Sequence, residues 1–123
     1  MESGEKRNNF RIDVVLSVNL AANRQRVSGE IRDVSIGGAL VVGPEMGIGT
    51  RVDLEFELPD GGPPLRIPGV CARRTLIEDR PALGVEYLPN ALSPEQEARL
   101  SRFVRQLERA RLAARAEQKE EMG

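Results

Sequence analysis

"RVDLEFEL", Arg51 to Leu58, places Val52, Leu54, Phe56 and Leu58 at even positions and Arg51, Asp53, Glu55 and Glu57 at odd ones. Side chains of a strand point alternately to opposite faces, so this alternation predicts a strand with one face buried and one wet. "FRIDVVLSVNL" repeats the pattern upstream. Phe10, Ile12, Val14, Leu16, Val18 and Leu20 alternate there, with Arg11, Asp13, Ser17 and Asn19 between them. "RVSGEIRDV" is a weaker strand with Val27 and Ile31 on one face; "SIGG" breaks it, and "ALVV" is a short strand beyond. Downstream, "PDGGPP" signals a turn. "LRIPGVCARRTL" follows as a strand. Its register is expected to slip at Pro68-Gly69, because Leu65 and Ile67 are odd while Val70, Ala72 and Leu76 are even. "LGVEYL" is the last strand.

The period then changes. Ser93 suits an N-cap, Pro94 the first helical position, and Gln96 completes a capping box. Leu100, Phe103, Val104 and Leu107 form an apolar stripe at helical spacing. Beyond Ala110 the stripe thins to alanine, so that end is expected to project into solvent or pair with another chain. Six short strands and one helix predict a mainly β fold: a small six-stranded antiparallel barrel with a C-terminal amphipathic helix. The expected organisation is a polar N-terminal arm over 1–9, a barrel over 10–90 and a helix over 93–118.

Composition narrows the function. The chain has 123 residues and a formal net charge of −1, so bulk electrostatics favour neither nucleic acid nor an anionic membrane. An anion site has to be local. There are 16 arginines, 2 lysines and no histidine, which removes the commonest acid–base group and metal ligand. Cys71 is the only cysteine, so no internal disulfide can form. With no signal-peptide pattern and no long apolar run, a cytoplasmic location without membrane insertion is expected. The carboxylates pair with no base, nucleophile or metal cluster, and neither an enzyme nor a cofactor is expected.

Two short motifs stand out. "RNNFR" carries Arg7 and Arg11 just before the first strand. The spacing alone says little, since roughly two such pairs are expected by chance in so arginine-rich a chain. It recurs at Arg105/Arg109 and Arg111/Arg115, in the helix, where it reads as a solvated face. "DVSIGG", Asp33 to Gly38, is more specific. Asp33 and Ser35 can bond turn backbone, and Gly37 and Gly38 permit positive φ or close approach of another molecule.

Together the motifs resemble those of the PilZ domain family of bacterial cyclic di-GMP receptors. That family carries Arg-x-x-x-Arg before its first barrel strand and (Asp/Asn)-x-Ser-x-x-Gly at the end of the next. "GTRVDLEFELP", "LGVEYL" and the following helix extend the likeness over about residues 6 to 107. The resemblance implies cyclic di-GMP as ligand, with Arg7 and Arg11 as anchors and Asp33, Ser35, Gly37 and Gly38 as floor. Lys6 would add a phosphate contact. The chemistry suits the ligand: a guanidinium clasps a phosphate or the O6/N7 edge of guanine bidentately, and a carboxylate accepts from the guanine N1 and N2 donors. Binding would order the arm and present a new surface to a protein partner.

Arg32 and one of Arg73 and Arg74 are weaker candidates for the same side of the barrel. Monomer and weak homodimer are both compatible with the sequence. Two alternatives compete with the receptor. One is a PilZ-like interaction adaptor with weak or no nucleotide binding. The other is a barrel that stacks single-stranded nucleic acid on exposed aromatics. Against the latter, at least three of Phe10, Phe56, Phe103 and Tyr87 fall on expected core faces.

Overall fold

The computed structural model describes residues 15–122, with side chains described as far as residue 117. Six strands, β1 (Leu16–Ala22), β2 (Gln25–Val34), β3 (Gly38–Val42), β4 (Arg51–Phe56), β5 (Leu65–Ile77) and β6 (Arg80–Tyr87), precede one helix, α1 (Pro94–Met122). The strands close a barrel in the order β1-β2-β3-β6-β5-β4, every pair antiparallel. Closure leaves no unpaired sheet edge. Of the long alternation expected over Phe10–Leu20, Phe10, Ile12 and Val14 lie outside the described residues. Val18 and Leu20 are buried as expected.

The alternating apolar positions meet inside. Leu20, Ile31, Val41, Leu54, Leu65 and Ile67 have no solvent exposure, and Phe56 and Leu58 are buried with them. Two hairpins turn on Asn23-Arg24 and Glu78-Asp79, both residues of each pair at positive φ. That is the type I′ geometry, whose twist matches that of the flanking strands.

Two strands slip register, and one does so away from the expected place. In β5 Pro68 and Gly69 stay in step, opposite Asp53 and Val52. The slip falls between Cys71 and Arg73. The buried parity of Leu65 and Ile67 simply continues through Gly69 to Cys71, leaving Val70 half-buried. Ala72 is the extra residue of the bulge. β2 slips likewise between Ile31 and Asp33. Val27, expected inside with Ile31, is 37% exposed near the hairpin end.

α1 starts as its sequence dictates. The Ser93 N–H donates to Gln96 Oε1 at 3.0 Å, and the Gln96 N–H donates back to Ser93 Oγ at 3.1 Å. Leu100 is fully buried in the barrel core, and Phe103, Val104 and Leu107 pack against that core. A clamp fixes this end of the helix to the β4–β5 loop. Arg99 donates to Asp60 from Nε at 2.8 Å and from Nη2 at 2.9 Å. The Gly62 N–H adds a third bond to Asp60, 2.9 Å long. A Cβ on Gly62 would lie 2.7 Å from the Arg99 Nη2, so the guanidinium lies flat over a glycine.

The Arg99 hydrogen bond, then that from Gly62, holds the Asp60 carboxyl well below its ordinary value of 3.8. A depressed folded-state value means that the clamp is fully present above 3.8 and is lost as pH falls through the folded-state value. Asp60→Asn is therefore expected to flatten the loss of stability between about pH 5 and pH 2. Urea unfolding of both proteins across that range checks this, and parallel pH profiles would remove the clamp's role.

Candidate functional site

The turn from Asp33 to Gly38 is built by its own side chains. Ser35 Oγ accepts from the N–H groups of Gly37 and Gly38, each at 3.2 Å, and donates to the Gly38 carbonyl at 3.3 Å. The Ser35 N–H reaches the same carbonyl at 2.8 Å. Asp33 Oδ1 accepts from the Val34 N–H at 3.0 Å. The Tyr87 N–H donates to the Gly37 carbonyl at 2.9 Å, which ties the turn to β6.

Of the two uses expected of the glycines, positive φ is not the one found. Among the described residues, the glycines at positive φ are Gly43, Gly49 and Gly61, not Gly37 or Gly38. A Cβ on Gly38 would run into the carbonyl oxygen of Val85, so Gly38 is needed for close approach within the chain itself. A Cβ on Gly37 would meet nothing within 4 Å. Gly37 thus leaves open space beside the turn.

That space is an open groove of about 440 Å³. Asp33, Ser35, Gly37 and Gly38 line one side of it; Arg73, Gly84 and Glu86 line the other. The volume falls within the ordinary range for small-ligand sites, about 300–1,000 Å³. The structure therefore gathers Asp33, Ser35, Gly37 and Gly38 at one concavity. Lys6, Arg7 and Arg11 lie outside the described residues.

Arg32 is drawn elsewhere. Its Nε faces Glu30 at 3.4 Å and its Nη2 faces Glu78 at 3.5 Å. Of the adjacent arginines, Arg73 lines the groove, and Arg74 lines a separate concavity with Glu45 and Leu76. The alternation that left one of the two facing this side did not say which.

Sequence reasoning missed Arg111. Its Nη2 lies 3.2 Å from Asp33 Oδ1, so α1 still touches the barrel at the motif itself one residue past Ala110. At 1.5 Å per residue, the eleven steps from Leu100 carry the helix about 16 Å across the barrel. No local signal marks this pair, whose members are 78 positions apart. Phe56 is buried, and Phe103 and Tyr87 are packed against the core, which leaves none of these three free to stack bases. Among the described residues, no group of three or more His, Cys, Asp or Glu is placed to hold a metal ion.

A closed antiparallel barrel, a helix packed on its core and an Asp-x-Ser-x-x-Gly turn beside a groove define a class of small β-barrel domain. The PilZ domain model matches residues 5–106, and the chain belongs to the PilZ domain family. The PilZ domain of Escherichia coli YcgR, solved with c-di-GMP, superposes with a TM-score of 0.60 at 19% identity, covering 90% of this chain and 94% of that one. The PilZ domain of CeSA from a cellulose-synthesizing bacterium gives 0.57 at 25% identity, over 80% and 97% of the two chains. The Bacillus subtilis inhibitor of motility MotI/DgrA gives 0.65 at 22% identity, over 78% of this chain and 48% of that one. The chain thus spans about half the length of MotI/DgrA and nearly all of each isolated PilZ domain. No curated protein sequence matches it.

The two glycines separate packing from ligand space. Gly38→Ala is expected to cost roughly 1–3 kcal/mol, since Val85 presents backbone that cannot turn aside. Gly37→Ala is expected to stay within about 0.5 kcal/mol of the parent. Urea denaturation of both variants tests this, and equal stabilities would contradict the contact.

Proposed function

We propose that this protein is a cyclic di-GMP receptor of the bacterial cytoplasm that binds its ligand at the Asp33–Gly38 turn and signals through protein contacts. The observation that carries the reading is the convergence of Asp33, Ser35, Gly37 and Gly38 on one groove in a chain of the PilZ family. E. coli YcgR and its isolated PilZ domain are known in complex with c-di-GMP, which supports the same ligand class here.

The roles follow from the chemistry. Arg7 and Arg11 are the anchors: each guanidinium offers two parallel donors to a phosphate or to guanine O6 and N7. Lys6 adds a charge contact to phosphate. Asp33 accepts from guanine N1 and N2. Ser35 has most of its bonding engaged in shaping the turn, and Gly37 leaves the floor flat. The ligand, bound between the residue 6–11 segment and the turn, orders that segment and creates a surface for a partner. The protein is a binder, with no catalytic step and no cofactor.

A second reading rests on α1. Leu112 is 63% exposed on a helix that continues to Met122. An adaptor that works through this helix, with weak or no nucleotide binding, accounts for that exposure. Equilibrium dialysis against cyclic di-GMP separates the two readings.

A bidentate arginine contact contributes about 1–3 kcal/mol. Arg7→Ala and Arg11→Ala are each expected to weaken cyclic di-GMP binding by roughly tenfold to a hundredfold in calorimetric titration. GTP and cyclic GMP serve as controls. Unchanged affinity in both variants would refute the roles given to these arginines.

A further inference from the structure

The groove has a wall that the two motifs do not supply. Ladder pairing sets one row of residues across four strands: Arg73 of β5 opposite Gly84 of β6, Gly84 opposite Leu40 of β3, and Leu40 opposite Asp33 of β2. At about 4.8 Å between strands, Arg73 and Asp33 stand roughly 14 Å apart along this row. Both side chains line the groove between them.

The β5 bulge puts the arginine there. Cys71 is buried opposite buried Val85, so the next residue of an unbroken ladder, Ala72, would face Gly84 on the outer surface. The extra residue shifts Arg73 into that place instead. Gly84 then lets the side chain lie down. A Cβ there would sit 2.7 Å from both the Cγ and the Nε of Arg73 and 3.3 Å from its Cδ. The arginine therefore lies against the wall over β6, in the direction of β3 and the motif turn, rather than standing off into solvent.

Glu86 shares this wall, but no carboxylate oxygen among the described residues comes within 4 Å of the Arg73 guanidinium. Arg26, Arg32, Arg66, Arg80, Arg99 and Arg111 each face an acidic oxygen within 4 Å. Among the described residues, Arg73 makes no such pair. An unneutralised fork laid along a groove is suited to an anionic or acceptor-rich ligand.

We propose that Arg73 is a further ligand-binding residue of this site, holding the half of the nucleotide remote from the Asp33–Gly38 turn, with Gly84 as the position that lets it lie in reach. The proposal rests on the reading of the site as a cyclic di-GMP receptor. The group it takes is a phosphate or the O6/N7 edge of the second guanine, both of which a guanidinium clasps with paired donors. Ala72 and Gly84 offer no donor to take its place, and Glu86 on the same wall is an acceptor only, so a change at Arg73 removes the paired donors from this wall.

The test is calorimetric titration of cyclic di-GMP into the full chain and into Arg73→Ala, Arg73→Lys and Arg74→Ala. Arg73→Ala is expected to bind tenfold to a hundredfold more weakly. Arg74→Ala, which removes the same charge one residue away, is expected to bind as the parent does. Arg73 is exposed, so its variants should melt with the parent, and melting curves verify that. Recovery of affinity in Arg73→Lys assigns the contact to phosphate; failure to recover assigns it to the guanine edge. Parent-like affinity of Arg73→Ala, or an equal loss in Arg74→Ala, overturns the proposal and leaves the receptor reading intact. A parent that binds no cyclic di-GMP removes both.

Discussion

At Gly38 the backbone of β3 comes so close to the Val85 carbonyl of β6 that no side chain fits between them. The groove depends on this approach. β3 follows β2 in the chain, but its other neighbour in the barrel is β6, far along the sequence. That pairing carries the Asp33–Gly38 turn to the wall formed by β5 and β6. The Tyr87–Gly37 backbone bond continues the ladder one step beyond β3 and holds the turn down. A bulkier residue at Gly38 would lift the turn from β6 and separate the two sides of the groove, whatever the local bonds of Ser35 preserved.

The second constraint is electrostatic. Asp33 is already engaged when the groove is open: Arg111 lies 3.2 Å away, with side-chain exposures of 30% for the arginine and 56% for the aspartate. A pair this exposed is worth about 0–1 kcal/mol. It orients the carboxylate without locking it, so a donor from a ligand exchanges one partial solvation for another at small cost. Near neutrality of the whole chain has a related consequence. With a net charge of −1 there is no long-range field to draw an anion in. Beyond about 8 Å at physiological salt, charges are largely screened in any case. On the proposed receptor reading, selection would rest on donors and acceptors in contact with the ligand rather than on bulk charge.

How much of this was legible in the sequence differs from one feature to the next. Strict alternation at Val52, Leu54 and Phe56 and the capping box at Ser93 and Gln96 are local signals, and each appears in the structure as written. Asp33, Ser35, Gly37 and Gly38 were legible as a turn because their bonds span few residues. The β5 slip was misplaced because proline and glycine advertise irregularity, while the fold accommodates both in register on a strand whose buried parity is kept by Leu65, Ile67 and Cys71. The misplacement did not change the outcome for Arg73, because a slip at Pro68-Gly69 with even residues inside and a slip between Cys71 and Arg73 both leave Arg73 on the outer face. Arg111 was illegible for a different reason: its partner is fixed by where a long helix ends up, not by any neighbour in sequence.

α1 joins these separate regions into one body. Its first turns are held by Leu100 in the core and by the Arg99–Asp60 clamp; farther on, Arg111 touches the motif turn. The two attachments are unequal. Leu100 is sealed in apolar surroundings, where removing its side chain would typically cost about 2–5 kcal/mol, and the clamp is bidentate with Arg99 only 13% exposed. The Arg111–Asp33 contact is partly solvated on both sides. Any change at Asp33 therefore acts on the helix at its weaker attachment and leaves the stronger one in place. Beyond Leu107, the stretch of α1 that reaches the motif turn through Arg111 is also the one that leaves Leu112 in solvent.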